Sequence, residues 1–190
     1  MTDPEDAELV TAARAGDRAA LEQLLRRHQD RIHAVARRIM ADPTDALDAA
    51  QEAMISIVRG LPAFDGRSAF STWIYRITTN ACLDELRRRR RRPTDALPEQ
   101  EQADPRSPDL AEGIADRLVL DDALADLPIE FRAAVVLRDV CRLDYAEIAE
   151  VLEIPPGTVR SRIARGRAAL AATLAAGNQT PASERPSDHP

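Results

Sequence analysis

The sequence predicts an all-α protein of two small helical domains joined by a flexible acidic linker, and three observations carry that reading. The 190 residues include 34 Ala against 7 Gly, with aromatic residues at 3%, a composition that suits long helices and denies a sheet its preferred residues. Apolar residues recur at alternating spacings of three and four, the period of a helix face. Residues 93–114 interrupt that period with prolines and acids, which separates a first helical block from a second that begins near Ala115.

In the first block Leu21, Leu25, His28, Ile32, Val35 and Ile39 form one apolar helical face. His28 lies on that face and reads as a packed core residue, because no second His or Cys stands at ligand spacing; His33 is off it and reads as solvated. The next helix begins near Pro43, where ADPT supplies a turn and acids fill the first turn. Leu47, Ala50, Met54, Ile57 and Leu61 are its expected buried stripe. Asp48, Gln51, Glu52 and Ile55 stand on the other side, either a partner surface or a solvated face with one stray aliphatic.

After LPAFDGRS, with turn-forming Pro62 and Asp65-Gly66, a long helix starts with Ser68 or Ser71 as N-cap. Phe70, Trp73, Ile74, Ile77, Ala81 and Leu86 line its inner face, while Tyr75, Arg76, Thr79 and Asn80 turn outward. It runs into six arginines, Arg87 to Arg92, and Pro93 ends it. The linker follows. The second block has three or four short helices, with Leu118, Leu120, Ala123, Leu124 and Leu127 leading to Pro128, then Phe131 and Val135. Its end has the layout of a helix-turn-helix: DYAEIAEVL, the turn EIPP, then GTVRSRIARGRAAL. Val159, Ile163, Gly166 and Leu170 face inward there. Arg160, Ser161, Ala164 and Arg165 point away together, which suits base edges and phosphates in a major groove better than a merely solvated Arg-rich face. Residues 175–190 read as a disordered tail.

Charge is segregated along the chain. The net charge is −6, yet residues 67–92 carry eight Arg against two acids, and four Arg fall between 160 and 167. Residues 93–126 carry two Arg against ten acids. Two basic patches on an acidic background suit a protein that grips one polyanion at two places and arbitrary DNA weakly. All 26 basic residues are Arg.

Other classes recede. No apolar run approaches the roughly 18 residues of a membrane span, and the start MTDPEDAE is acidic where a signal peptide is basic, so a cytoplasmic protein without membrane insertion is expected. Cys82 and Cys141 form no C-x-x-C pattern and read as small core residues, with redox sensing left open. No nucleophile–base pair, metal cluster or cofactor motif is present, so an enzyme is not expected.

With both blocks in view, the chain resembles the extracytoplasmic-function (ECF) group of sigma factors in the sigma-70 family, the promoter-recognition subunits of bacterial RNA polymerase. The resemblance covers residues 7 to about 174. It rests on DRAALEQLLRRHQDRIHAVARRI, DALDAAQEAMISIV, FDGRSAFSTWIYRITTNACLDELRRRRRR, LPIEFRAAVVLRDV and DYAEIAEVLEIPPGTVRSRIARGRAAL, in that order. It implies that 7–92 is sigma region two and 115–174 region four. Asp48, Gln51 and Glu52, with Ile55, would dock on the clamp helices of the polymerase β′ subunit, and region four would meet the β flap. The loop from Ala63 to Ser68, with Asp65, Arg67 and Ser68, and the helix face with Asn80 would capture a flipped base of the minus-ten element. Arg87, Arg88, Arg90 and Arg91 would hold the adjacent backbone. Thr158, Arg160, Ser161 and Arg165 would read the minus-thirty-five element. Control by an anti-sigma protein is a further implication.

The chain departs from the family pattern at Leu47 and Ala49, at Glu153 in place of the usual turn Gly, and at Gly166, a helix-interior Gly costing up to about 1 kcal/mol. The competing reading is an autonomous helix-turn-helix regulator that binds a duplex operator as a dimer.

Overall fold

Local capping sets the first three helices. The structure, a computed structural model, describes residues 3–91 and 119–177. Helix α1 (Pro4–Arg14) is capped by Asp3, which accepts from the Glu5 N–H at 3.0 Å. Gly16, at φ +98°, turns the chain. Asp17 then caps α2 (Arg18–Ile39) by accepting from the Ala19 and Ala20 N–H groups at 2.8 and 3.2 Å. Asp42 caps α3 (Pro43–Gly60), whose Pro43 start was expected.

Helix α4 (Phe70–Arg91) begins where neither candidate serine can be the cap residue. The Ala69 carbonyl accepts from Trp73 N–H at 3.1 Å, and Ser71 is already inside the helix. A serine cap contributes about 1 kcal/mol, whereas full burial of a Phe contributes about 2–3 kcal/mol, so the buried Phe70 sets the register. Its ring lies 5.4 Å from Phe64, 5.5 Å from Trp73 and 5.4 Å from His28, centroid to centroid.

The core of this block differs from expectation at several positions. Leu24 is the buried leucine of α2, with Leu21 and Leu25 half-buried beside it. The inner stripe of α3 is Ala46, Ala49, Ala50, Ala53 and Ile57, and Leu47 is exposed. Small side chains let α3 pack closely between α2 and α4, and this rotates Leu47 outward. Thr79, expected outside, is fully buried, Tyr75 is half-buried, and His33 is half-buried rather than solvated. His28 is core as expected, and its Nε2 also faces Asp6 Oδ2 at 3.1 Å, tying α1 to α2.

The second block contains α5 (residues 119–125), α6 (Ile129–Val135) running into a π-helical turn Val136–Val140, α7 (Tyr145–Leu152) and α8 (Pro156–Gly177). Its centre is Ala134, Leu137, Leu143, Ile148, Val151, Val159 and Ile163. The linker assigned to 93–114, with Leu118 and the tail from residue 178, lies outside the described residues, while α8 continues past the expected boundary at 174.

The two blocks touch. Leu124, Leu127, Val135 and Val136 join the apolar cluster of the first block. Buried Arg132 donates to the Ile39 carbonyl at 2.9 Å, and within its own block to the Leu127 carbonyl at 2.8 Å and the Ala125 carbonyl. Thr72 Oγ1 donates to Glu147 Oε1 at 2.9 Å, and Arg37 pairs with Asp121 at 2.9 Å.

Candidate nucleic-acid and partner interface

Three exposed surfaces carry the predicted residues. The first is the outer face of α3. Leu47, Ile55 and Val58 are 49%, 43% and 40% exposed, and with Gln51 they follow one another at helical spacing. Asp48 and Glu52 stand exposed beside them. Ile55 thus shares its face with two other exposed aliphatics, Leu47 and Val58, beside the carboxylates of Asp48 and Glu52. Leu47 and Val58 were missed because the leucine fitted a large-residue stripe, although the alanines at 46, 49, 50 and 53 mark the inner face.

The second surface runs from the 63–68 loop along α4. Asp65 accepts from the Arg67 N–H at 3.1 Å and pairs with its side chain at 2.9 Å, around Gly66 at φ +74°. Ser68 is half-buried, and Arg76 and Asn80 are exposed. Asn80 is ten residues from Phe70, about 15 Å along the helix, so loop and asparagine form an extended track rather than a single pocket.

At the end of that helix the arginines divide by partner. Arg87 pairs with Asp84 at 2.7 Å on the surface, and Arg88 with the half-buried Glu85 at 2.8 Å. Arg89 reaches across to Asp45 at 2.7 Å. Burial is the main cause that raises the Asp45 pKa, and the Arg89 charge opposes it. Arg90 and Arg91 are exposed and make no ion pair with a described residue. An exposed i,i+3 pair is worth a few tenths of a kcal/mol, so Arg87 can exchange its carboxylate for another anion at little cost, whereas releasing Arg88 would leave the half-buried Glu85 unpaired.

The third surface is the helix-turn-helix. Asp144 and Glu147 form a capping box on α7, with Asp144 accepting from the Ala146 and Glu147 N–H groups at 2.8 Å. Glu153 ends α7 in the left-handed region, at φ 53° and ψ 44°. On α8, Val159, Ile163 and Gly166 face inward, Leu170 is half-buried, and Arg160, Ser161, Ala164 and Arg165 are exposed together, as the spacing predicted. Thr158 is half-buried at the start of that face, and Ser161 Oγ donates to its carbonyl at 2.9 Å. Sequence reasoning missed the flanking group: Arg138 and Arg160 lie over the Tyr145 ring, 5.0 and 5.9 Å from its centroid. Arg167 is held by Asp139.

The structure brings the helix-turn-helix against α4 through Thr72 and Glu147, whereas the α3 seam stands on a different helix from either of the other two surfaces. Burial pushes the thiols of Cys82 and Cys141 up to about 12, which leaves both in the unreactive protonated form at neutral pH. Among the described residues no group of three or more His, Cys, Asp or Glu could hold a metal ion, and no helix is long and apolar enough to cross a membrane.

Comparison with known proteins bears on these surfaces. Residues 24–92 match the family profile Sigma-70 region 2, and residues 117–170 match Sigma-70, region 4. The ECF RNA polymerase sigma factor SigM of Mycobacterium tuberculosis is 44% identical over 169 residues, covering 89% of this chain and 84% of that protein. SigE of Mycolicibacterium smegmatis, also an ECF RNA polymerase sigma factor, is 42% identical over 182 residues, covering 91% and 70%. Among solved structures, CnrH in complex with the cytosolic domain of CnrY superposes with a TM-score of 0.66 at 27% identity, covering 90% of this chain and 98% of that one.

Proposed function

The chain belongs to the ECF group of sigma-70 factors, which direct transcription initiation, and from that premise we propose how its surfaces divide the work. Sigma factors are non-catalytic subunits, so the chemistry belongs to the polymerase. Residues 7–92 act as the polymerase-binding and minus-ten domain, and residues 115–174 as the minus-thirty-five domain, with 93–114 as the connection between them.

The α3 seam is the observation that carries this reading. An exposed Leu47–Ile55–Val58 stripe beside Asp48, Gln51 and Glu52 suits the β′ clamp helices, since apolar contact gives affinity and the carboxylates set orientation. A self-sufficient operator-binding dimer would instead cover the same stripe with a second copy, a difference the binding experiment reads. Asp65, Arg67, Ser68 and Asn80 line the track for the melted minus-ten strand, where flipping a base costs a few kcal/mol that specific contacts must offset. Arg87, Arg88, Arg90 and Arg91 hold the adjoining phosphates in a salt-sensitive, sequence-blind way. Thr158, Arg160, Ser161 and Arg165 read the minus-thirty-five duplex, and region four meets the β flap. The work is done in the cytoplasm. An anti-sigma protein is the expected controller, supported by the likeness to a CnrH structure solved with the cytosolic domain of CnrY.

Electrophoretic binding to genomic DNA fragments, with and without core polymerase, tests the assignment. Specific complexes are expected only when both proteins are present. Tight binding of palindromic duplex by the chain alone, as a dimer, would support the autonomous regulator instead.

A further inference from the structure

Among the residues assigned to minus-thirty-five reading, Arg160 has a distinctive environment. It is exposed, and among the described residues it makes no ion pair or hydrogen bond; its guanidinium has one neighbour of note, the Tyr145 ring, at 5.9 Å from the centroid. Tyr145 is well placed to act as a fixed shelf. It is the first residue of α7, its backbone is set by the Asp144–Glu147 capping box, and its side chain packs half-buried on the second apolar cluster.

The other arginine at this ring is not free in the same way. Arg138 lies closer, at 5.0 Å, and its NH1 donates to the Leu143 carbonyl at 2.7 Å. Two guanidinium groups at one ring repel each other, and the tethered one keeps its place. Arg160, without such a tether, is held near the ring by the cation–π attraction alone.

We propose that Tyr145 is a positioning residue for promoter readout, an aromatic shelf that holds the Arg160 guanidinium ready to fork onto a guanine edge in the minus-thirty-five major groove. The proposal rests on α8 being the reading helix. Arg–guanine readout needs a planar fork in one orientation, and a ring that narrows the side chain's range before binding lowers the ordering cost at contact. The contribution of an exposed cation–π contact corresponds to about two- to fivefold in discrimination.

The test is promoter competition with reconstituted holoenzyme on every single-base variant of the minus-thirty-five element, using the wild type, Tyr145→Phe, Tyr145→Leu, Arg160→Ala and the double variant. Arg160→Ala should relax preference at one base pair. Tyr145→Leu should relax the same base pair by about two- to fivefold at an unchanged melting temperature, Tyr145→Phe should not, and Tyr145→Leu should add nothing in the Arg160→Ala background. Should Tyr145→Leu unfold the domain, pentafluorophenylalanine at position 145 keeps the ring's shape, reverses its quadrupole and should give the same relaxation. Uniform loss at all promoter variants, no loss, or additivity with Arg160→Ala would overturn the shelf. If Arg160→Ala relaxes no base pair, the shelf falls together with the base-reading role of Arg160. Polymerase-dependent starts by the wild type in the same reactions keep the sigma-factor reading separate.

Discussion

His28 shows how one buried side chain couples this fold to pH. Burial lowers its pKa below the ordinary imidazole value, against the opposing pull of Asp6, so at neutral pH the ring is neutral and its Nε2–H donates to the Asp6 carboxylate. A histidine depressed in the folded state contributes stability that is present above pH ~6.5 and is lost as pH falls toward the folded value. The urea midpoint should therefore fall between pH 7.5 and 5.5, and by less in His28→Gln; equal losses in both proteins would exonerate the imidazole. Gly166 makes a second case. Sequence reasoning counted it as a helix-weakening departure, but a Cβ built there would lie 2.6 Å from Val135 Cγ2 and 3.3 Å from Phe131 Cβ. The glycine is what lets α8 approach α6. Gly166→Ala, stabilising in an open helix, should here cost about 1–3 kcal/mol in chemical denaturation, because overpacking outweighs the propensity gain. A gain in stability would show that Val135 yields easily.

Each helix was legible to the extent that its signals were local. Pro43 and its acidic first turn placed α3, and DYAEIAEVL–EIPP–GTVRSRIARGRAAL gave the helix-turn-helix, because caps, turns and breakers act within a few residues. The inner face of α3 was misread for the opposite reason. Ala46, Ala49, Ala50 and Ala53 give a weak apolar signal, so the larger Leu47 drew the stripe toward itself, and only the close packing of α2, α3 and α4 reverses the choice. Tyr145 was also out of reach, since its arginine neighbours come from a π-helical turn and from α8. Ile55→Glu places a charge at the centre of the proposed polymerase contact and should weaken core binding at least tenfold, with circular dichroism unchanged because the side chain is exposed in the free protein. Gln29→Glu, exposed on α2 and outside the three surfaces, serves as control and should bind normally. Equal affinity of wild type and Ile55→Glu would remove the seam from the docking surface.

The contact between the blocks is a property of the whole molecule that no segment of sequence announces, since it joins Arg132 to Ile39, Glu147 to Thr72 and Asp121 to Arg37 across long separations. It also constrains function. A compact body of about 150 residues has a radius of gyration of about 15 Å and spans under ~40 Å. The minus-ten and minus-thirty-five elements, some 25 base pairs apart by their names, are separated by about 85 Å of straight duplex at ~3.4 Å per base pair. On the proposed division of the two elements between the blocks, the closed arrangement is too short to serve both, and promoter engagement is predicted to break the contact. Dyes on Asp30→Cys and Ala171→Cys, with Cys82→Ala and Cys141→Ala, should show efficient energy transfer in the free protein and a marked drop in the promoter complex. Unchanged transfer in a transcribing complex would contradict the opening. The claim on which everything else depends is that this chain gives core polymerase its promoter choice. The most direct measurement is transcription of fragmented bacterial genomic DNA by purified core polymerase, with and without the protein, and RNA starts mapped by sequencing. The account predicts new protein-dependent starts that share two upstream motifs at a fixed spacing; no new starts, from a folded protein in a reaction where a known sigma factor works, would contradict it.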